Sequence, residues 1–524
     1  MSGETPAAEP APTADEPEDA RPRVIGQIVS GLSWNTASQA VAVLISLGLT
    51  PFLLVRLGTD AYGVFALVSS TRGLLSNLDG GLGPTCYRYF PVYAGAGDRR
   101  GTSRFLATMC ILTVAVVGLV AALAALFAPD ITGVLHTSVA LKRQGATLMR
   151  YFMPLLVVAA IRVLFQRILT AEHRWAYVNV AQAASTIVYA ALAVVLVAGG
   201  RGLMGVLWAS VGQEVVLLVT SVIAARRHIS ARDLRFMGRD DLRDLVRFAS
   251  RVQVAELASS FNYELDAILV GLIFPVRYVA YYGIGANFSS QLVLLPVNAI
   301  SPIAVVVARV YGRSGLKGAL AEFVTMQRMW VRTLSAFPIV GAIAAYFGIA
   351  RWLGADERLA GAVAAILLLG QTLPILAGVM DVTAKAINMP GLESRYLGAG
   401  VVINVALTVP LAFTIGMLGV PIGTAFGLLV SRFYFLRIAR RDIEKDLRSF
   451  LADVPTLAVA VAAAVTLALE IALYRVAPRG VVGLLTCAVP AGIGLGVYAI
   501  ILCGPRQVAA FVAAGLGRSG TRTR

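Results

Sequence analysis

Long apolar stretches alternate with short polar connections along most of this sequence. A hydrocarbon core of about 30 Å requires roughly 20 apolar residues per helix, and fourteen segments of the chain come close to that length. The pattern therefore predicts an all-α membrane protein with about 14 transmembrane helices. The predicted segments are 31–56, 61–82, 104–128, 148–170, 175–199, 202–224, 248–273, 278–308, 331–350, 359–383, 396–417, 420–438, 455–474 and 481–503.

Composition agrees with this pattern and excludes several classes of protein. Of the 524 residues, 58% are hydrophobic and only 14% are charged, which is too apolar for a soluble globular protein of this size. The net charge of +16 would suggest a nucleic-acid partner in a soluble protein. Here the basic residues lie mainly in short connections between apolar segments, so we expect no nucleic-acid partner.

The distribution of basic residues predicts an orientation. With both termini in the cytoplasm, 33 of the 45 Lys and Arg residues lie in or beside inner connections and nine lie on the outer side. Positive charge is retained preferentially on the cytoplasmic face of membrane proteins. We therefore expect a multi-pass membrane protein with both termini cytoplasmic.

An internal repeat divides the chain into two lobes. The sequence at 60–66, DAYGVFA, aligns with AYYGIGA at 280–286, and each opens the second helix of its half. This spacing predicts two six-helix bundles related by a parallel pseudo-two-fold axis, plus two peripheral helices. The predicted parts are a disordered cytoplasmic tail (1–22), an N-terminal lobe (23–226), an amphipathic cytoplasmic linker (227–247), a C-terminal lobe (248–441), two peripheral transmembrane helices (442–503) and a basic cytoplasmic tail (504–524).

Charged residues inside the first lobe are the main candidates for function. An arginine in the middle of an apolar helix costs about 2.5–3.5 kcal/mol on insertion scales, and Arg72 and Arg162 both occupy such positions. In one interpretation the two guanidinium groups bind the phosphates of an anionic lipid carrier. In the other they form an internal salt bridge with Glu214. Arg150 is expected to anchor its helix at the membrane–water interface or to line the outer exit of a cavity in this lobe.

Polar residues of the second lobe suggest a different role. Glu256, Glu264 and Asp266 lie in its first helix and are candidates for an ion-coupling site or for pairing with the arginines between the lobes, with Glu214 as a further candidate. The alternative is that these acids only hydrogen-bond to a neighbouring helix. Asn287 and Gln291 share a helix face and are candidates for contacts with sugar hydroxyls, or for hydrogen bonds between helices.

Two further sets of charges are expected to be structural. Asp79 and Arg88 flank a glycine-rich break before Pro84, where they would cap a helix or pair with each other. Asp381 and Lys385 are spaced to form an ion pair along one helix.

One segment of the chain also carries a resemblance to a known family. The sequence at 54–98, LVRLGTDAYGVFALVSSTRGLLSNLDGGLGPTCYRYFPVYAGAGD, resembles the first-to-second helix segment of bacterial polysaccharide flippases. These form the Wzx-type branch of the multidrug/oligosaccharidyl-lipid/polysaccharide exporter superfamily. The resemblance implies a flippase that moves a polyprenyl-diphosphate-linked oligosaccharide from the inner to the outer leaflet by alternating access. It also implies membrane lipids, a polysaccharide polymerase and glycosyltransferases as partners.

The sequence offers little sign of enzymatic chemistry. It has no GxxxxGK[ST] loop, its three histidines are widely spaced, and its four cysteines show no CxxC spacing. We therefore expect that the chain is not an enzyme and that it has no metal site and no cofactor. A proton or sodium gradient is the expected energy source for transport. Three alternatives remain: a multidrug cation antiporter, a membrane glycosyltransferase or polymerase, and a non-transporting assembly factor. The antiporter would be expected to have an acidic or aromatic cavity in the first half of the chain.

Overall fold

The computed structural model describes residues 20–354, 357–386, 391–443 and 452–504 and is almost entirely helical over these ranges. This confirms an all-α membrane fold. Each predicted segment has a helical counterpart, but nine stretches of the described chain are long and apolar enough to cross a bilayer by length and composition. The predicted number of 14 transmembrane helices is therefore not confirmed. Residues 1–19 and 505–524, which include most of both predicted tails, lie outside the described residues.

The first half of the chain contributes nine helices. A short loop containing two 3-10 turns, at Arg226–His228 and Ala231–Asp233, follows the last of them. The helices are α1 (Ala20–Leu57), α2 (Thr59–Ser76), α3 (Leu82–Gly95), α4 (Arg99–Leu126), α5 (Ala128–Gly133), α6 (Val139–Phe152), α7 (Pro154–Ala171), α8 (Trp175–Ala198) and α9 (Gly202–Ala225).

The second half begins with a helix that joins part of the predicted linker to the first span of the second lobe. It ends with a two-helix hairpin, α18–α19, that packs against α12. The helices are α10 (Arg239–Ile273), α11 (Arg277–Leu334), α12 (Phe337–Leu353), α13 (Arg358–Gly370), α14 (Thr372–Leu376), α15 (Gly378–Ala386), α16 (Gly391–Ile415), α17 (Gly419–Ile443), α18 (Thr456–Tyr474) and α19 (Val481–Cys503).

The predicted span at 61–82 ends earlier than its hydrophobicity suggests. Helix α2 stops at Ser76, and Gly81 adopts a φ of 74°, a left-handed conformation that glycine tolerates without steric cost. The two carboxylate oxygens of Asp79 accept hydrogen bonds from the backbone N–H groups of Gly81 (2.8 Å) and Gly83 (2.7 Å). Asp79 therefore caps the start of α3, in agreement with its structural interpretation. The side chain of Arg88 lies outside the described residues.

A second predicted structural charge, Asp381, contacts an arginine that the sequence analysis did not select. Asp381 of α15 accepts hydrogen bonds on both carboxylate oxygens from Nη1 of Arg432 in α17, each at 2.5 Å. The ion pair therefore joins two helices, and the side chain of Lys385 lies outside the described residues.

Helix α2 forms the main contact between the two lobes by packing on α10 and α11. Glycines make this contact close. A Cβ atom placed on Gly63 would lie 2.2 Å from the carbonyl oxygen of Val276, and one placed on Gly283 would lie 3.3 Å from Cβ of Ala66. Gly63 and Gly283 occupy equivalent positions in the internal repeat, so the two repeated motifs meet at the lobe boundary.

Apolar packing continues across this boundary. A single buried cluster combines α2 residues such as Val64 and Leu67 with second-lobe residues such as Val270 and Val279. Asp60 and Arg277 form an ion pair at the edge of the contact, with 3.8 Å between Oδ1 and Nε. Both side chains are more than half exposed, so this pair contributes little compared with the buried apolar surface.

Gly63→Ala is expected to destabilise the closed contact between the lobes. The added methyl group would overlap a backbone carbonyl that cannot rotate away, and overpacking of this kind typically costs about 1–3 kcal/mol. Gly48→Ala in α1 is the matched control, since a Cβ atom there has nothing within 4 Å. A lower apparent melting temperature for Gly63→Ala than for Gly48→Ala would support the close contact, and equal values would contradict it.

Candidate functional site

The two candidate arginines of the first lobe meet at one carboxylate. Glu214 of α9 accepts a hydrogen bond on Oε1 from Nη2 of Arg72 (3.1 Å) and on Oε2 from Nε of Arg162 (2.8 Å). The Glu214 side chain is 8% exposed, compared with 26% for Arg72 and 14% for Arg162. Three helices thus bring one acid and two bases together in a largely buried cluster.

This arrangement matches the salt-bridge interpretation of the sequence but leaves an excess of charge. One carboxylate balances one of the two guanidinium groups, so the cluster keeps a formal charge of +1. Both contacts of Glu214 lie inside the first lobe, because Arg72 is on α2 and Arg162 is on α7. A role of Glu214 in ion coupling or in pairing between the lobes stays a prediction.

Two further side chains complete the cluster, and the sequence analysis did not select either of them. Nη1 of Arg162 donates a hydrogen bond to Oε1 of Gln166 at 2.7 Å, one helical turn away, while Nε2 of Gln166 is buried without a hydrogen-bond partner. The guanidinium group of Arg72 lies 5.4 Å from the centre of the Phe152 ring, a cation–π geometry. The i,i+4 spacing of Arg162 and Gln166 in an apolar helix was the signal available in the sequence.

A cavity of about 760 Å³ lies between the lobes, next to this cluster. It is bounded by α1, α2 and α8 on one side and by α11, α12 and α19 on the other. Most of its wall is apolar, and the rest is formed by residues with hydroxyl and amide groups. These polar residues are Ser46, Thr50, Tyr62, Ser69, Ser70, Thr186, Tyr189, Asn287 and Gln291.

The predicted substrate-binding residues stand in different relations to the cavity. Asn287 and Gln291 both line it, and Oε1 of Gln291 is buried without a donor. Arg72 and Arg162 do not line it, although Arg72 lies within electrostatic range of Tyr189 in its wall. Arg150 is exposed at the end of α6, outside the cluster. In this conformation the arginines thus lie behind the cavity wall.

Asp266 lies in a buried polar network in the second lobe. Its Oδ2 atom accepts hydrogen bonds from the hydroxyl of Tyr282 (2.6 Å) and from the hydroxyl of Thr424. Oδ1 of Asn404 in turn accepts from the hydroxyls of Thr408 (2.7 Å) and Thr424 (3.3 Å). Oδ1 of Asp266 is buried with no hydrogen-bond partner, which leaves one carboxylate oxygen available inside a fully enclosed site.

The other two predicted acids cannot be placed with Asp266. Glu256 and Glu264 lie on α10, but their side chains are outside the described residues. Of the two hydrogen-bond partners of Asp266, Tyr282 on α11 is 16 residues away and Thr424 on α17 is 158 residues away, and Thr424 extends the network to Asn404 on α16. The polar pair Asn404 and Thr408 in an otherwise apolar helix was the sequence signal for this network.

Comparison with protein families identifies the class of protein. The family model described as "Polysaccharide biosynthesis protein" matches residues 28–308, more than half of the chain. The chain therefore belongs to this family of multi-pass membrane proteins, in agreement with the resemblance to Wzx-type flippases. A comparison with curated protein sequences finds no match.

Several solved structures share the fold of this chain. The chain is similar to the lipid II flippase MurJ in an inward closed conformation, with a TM-score of 0.67 at 12% identity over 90% of this chain and 98% of that one. It is also similar to an inward-facing multidrug resistance transporter of the MATE family (TM-score 0.59, 14% identity, 78% and 94% covered). A mutant of the Vibrio cholerae MATE transporter VcmN gives a TM-score of 0.56 at 12% identity, with 81% and 100% covered. At these identities the likeness shows a shared fold.

Glu214→Ala is expected to destabilise the first lobe. Removal of the carboxylate would leave two guanidinium groups without a counter-charge, and breaking a buried pair in this way costs about 3 kcal/mol or more. Glu214→Gln keeps the shape and one acceptor oxygen and should cost less. Chemical unfolding in detergent would measure both. Equal stability of Glu214→Ala and the parent protein would contradict a bridging role.

Proposed function

We propose that this chain is a flippase that moves a polyprenyl-diphosphate-linked oligosaccharide from the inner to the outer leaflet of the bacterial inner membrane. The observation that carries this proposal is the excess positive charge of the Arg72–Glu214–Arg162 cluster beside a cavity between two lobes. The lobes would alternate in their opening, with both termini of the chain in the cytoplasm. Membership of a polysaccharide biosynthesis family supports the class of cargo.

The arginine cluster suits a diphosphate because of its charge and geometry. Glu214 holds the two guanidinium groups on opposite oxygens of one carboxylate, so the two donors are kept close together before any ligand arrives. Guanidinium groups form strong, charge-assisted hydrogen bonds with phosphate oxygens. A diphosphate would take over part of the hydrogen bonding now provided by Glu214 when the lobes open and expose Arg72.

The inter-lobe cavity suits the sugar portion of such a substrate. Sugars present many hydroxyl groups, and the wall offers amides from Asn287 and Gln291 opposite hydroxyls from Ser69 and Ser70. The unpartnered Oε1 atom of Gln291 is an acceptor for a sugar hydroxyl. The lipid tail would remain in the bilayer while the head group passes through this space.

The buried network at Asp266 supports coupling to an ion gradient. A carboxylate inside a membrane protein is costly and usually marks a proton or ion pathway. Oδ1 of Asp266 has no hydrogen-bond partner, and its other oxygen, Oδ2, accepts from Thr424, whose hydroxyl also lies 3.3 Å from Oδ1 of Asn404. This set of oxygens would accept either a proton or a sodium ion. Occupation of the site would then change the packing of α10 against α16 and α17.

The charge of the first lobe separates this proposal from a multidrug cation antiporter of similar fold. A cationic drug would be repelled by a cluster with a formal charge of +1, whereas an anionic carrier would be attracted. In the cell, we expect a polysaccharide polymerase and glycosyltransferases to act on the same lipid-linked substrate on either side of the membrane.

Arg72→Ala is expected to abolish glycan export while leaving the protein folded. Arg162 and Glu214 would remain as a balanced pair, and the loss of one charged hydrogen-bond donor is worth about 1.5–3 kcal/mol, or roughly 10- to 100-fold in affinity. Arg72→Lys keeps the positive charge but lacks the paired donors of a guanidinium group, so its glycan export should lie between that of Arg72→Ala and that of the parent protein. The measurement is accumulation of lipid-linked glycan in the inner leaflet.

The control for this experiment is Arg143→Ala, because Arg143 is exposed and forms no ion pair within the described ranges. Its glycan export should equal that of the parent protein. Undiminished export by Arg72→Ala would exclude Arg72 as a substrate-binding residue.

Asp266→Asn is expected to uncouple transport from the ion gradient. The amide has nearly the shape of the acid but cannot take up a proton or provide a charge for sodium. In proteoliposomes, gradient-driven flux should fall to the level of equilibrium exchange, while substrate binding is retained. Asp130→Asn is the control, because Asp130 is an exposed residue of α5. Gradient-driven flux that survives in Asp266→Asn would show that coupling lies elsewhere.

A further inference from the structure

Four arginines gather at one corner of the second lobe, away from the Arg72 cluster. Arg351 ends α12, Arg358 begins α13, and Arg475 and Arg479 lie in the turn between α18 and α19. The backbone N–H of Gly480 donates a hydrogen bond to the carbonyl oxygen of Arg351 at 3.0 Å, so this turn is tied to the end of α12. These four make up nearly half of the nine basic residues predicted on the outer side.

Two of these arginines converge on one aromatic ring. The guanidinium carbon of Arg351 lies 4.3 Å from the centre of the Tyr474 ring, and that of Arg358 lies 5.9 Å from the same centre. Nη2 of Arg358 also donates to the Tyr474 hydroxyl at 3.4 Å. Two like charges held beside one ring repel each other, and an anion placed near both would relieve this repulsion.

Few acidic groups in the described part of the chain lie close enough to neutralise the charge of these arginines. Among the described residues, no carboxylate oxygen lies within 4 Å of a basic nitrogen in any of the four, and Nε of Arg351 is buried with no hydrogen-bond acceptor. Glu470 of α18 is fully buried on the same three-helix unit, beside Cys487, but it forms no ion pair with them. The corner therefore has one buried donor without an acceptor and four guanidinium groups that form no ion pair among the described residues.

Exposed apolar residues alternate with the arginines in this turn. Val476 is 81% exposed and Val482 is 62% exposed, and each lies close in sequence to Arg475 or Arg479. Helices α18 and α19 are both long and apolar enough to cross a bilayer. Basic donors at the ends of such helices, mixed with exposed valines, are typical of a surface in contact with lipid head groups and the first carbons of their chains.

We propose that this arginine corner, defined as Arg351, Arg358, Arg475 and Arg479, binds the phosphate of a membrane lipid. The phosphate oxygens would accept hydrogen bonds from Arg351 and Arg358, and the exposed valines would contact the lipid chains. The bound lipid fastens the α18–α19 hairpin to the end of α12. The site is separate from the proposed transport route and does not require that the chain be a flippase.

The test measures lipid retention by the full-length protein without measuring transport. Purified protein is exchanged from phosphatidylglycerol into zwitterionic phosphatidylcholine, and the phosphatidylglycerol that stays bound is counted by native mass spectrometry. The double variant Arg358→Gln with Arg479→Gln removes two exposed positive charges from the corner. The matched control is Arg143→Gln with Arg201→Gln, which removes the same charge from exposed positions elsewhere on the predicted outer side.

We expect the corner variant to retain at least fivefold less phosphatidylglycerol than the parent, and the control variant to retain as much as the parent. Equal retention by the two double variants would overturn the proposal. If the double variant is not monodisperse, Arg479→Gln alone provides the same comparison with Arg201→Gln.

Two competitors identify the source of the phosphate. In one outcome, polyprenyl monophosphate displaces phosphatidylglycerol from the parent protein and leaves the corner variant unaffected. This result would support a lipid phosphate site that accepts polyprenyl phosphates as well as phospholipids. Resistance to polyprenyl monophosphate would support a site for phospholipid alone. Displacement by millimolar inorganic phosphate would overturn the assignment to a lipid.

Discussion

Charge inside an apolar helix bundle has to be balanced by other groups of the protein, and in this chain Glu214 provides most of that balance. Its two carboxylate oxygens each hold one guanidinium group, from Arg72 and from Arg162. Without it, two cations would face each other in a site where water is scarce. With it, three helices of the first lobe are linked to one another, and the cluster keeps a single excess positive charge, which the proposed function assigns to an anionic ligand.

Helix α2 connects this charge to the movement expected of the two lobes. One side of α2 directs Arg72 toward Glu214, another places Ser69 and Ser70 in the cavity wall, and a third packs through Gly63 against Val276 of the second lobe. A change in the contact between the lobes would therefore shift the helix that carries the cationic group. This provides a physical route from lobe opening to exposure of Arg72.

The two lobes handle polar groups differently although they share a helix pattern. The first lobe uses full charges, two basic and one acidic, at a partly accessible position. The second lobe encloses Asp266 within hydroxyl and amide groups and leaves one oxygen unpartnered. The cationic cluster would meet a large anionic cargo only after the lobes open, whereas the enclosed oxygens around Asp266 would suit a small cation. The asymmetry fits the division between cargo binding and ion coupling in the proposed function.

The sequence by itself determined the membrane class, the helical segments and the identity of the intramembrane charges, because hydrophobicity and helix length follow from local composition. Tertiary structure decided which charges meet. Glu214 joins Arg72 across 142 positions, and Asp266 finds Thr424 across 158. Asp381 pairs with Arg432 of another helix, and Arg351 and Arg358 meet on Tyr474. Such partners lie on different helices, and the rotation and depth of each helix are set by packing against its neighbours, which a single sequence does not display.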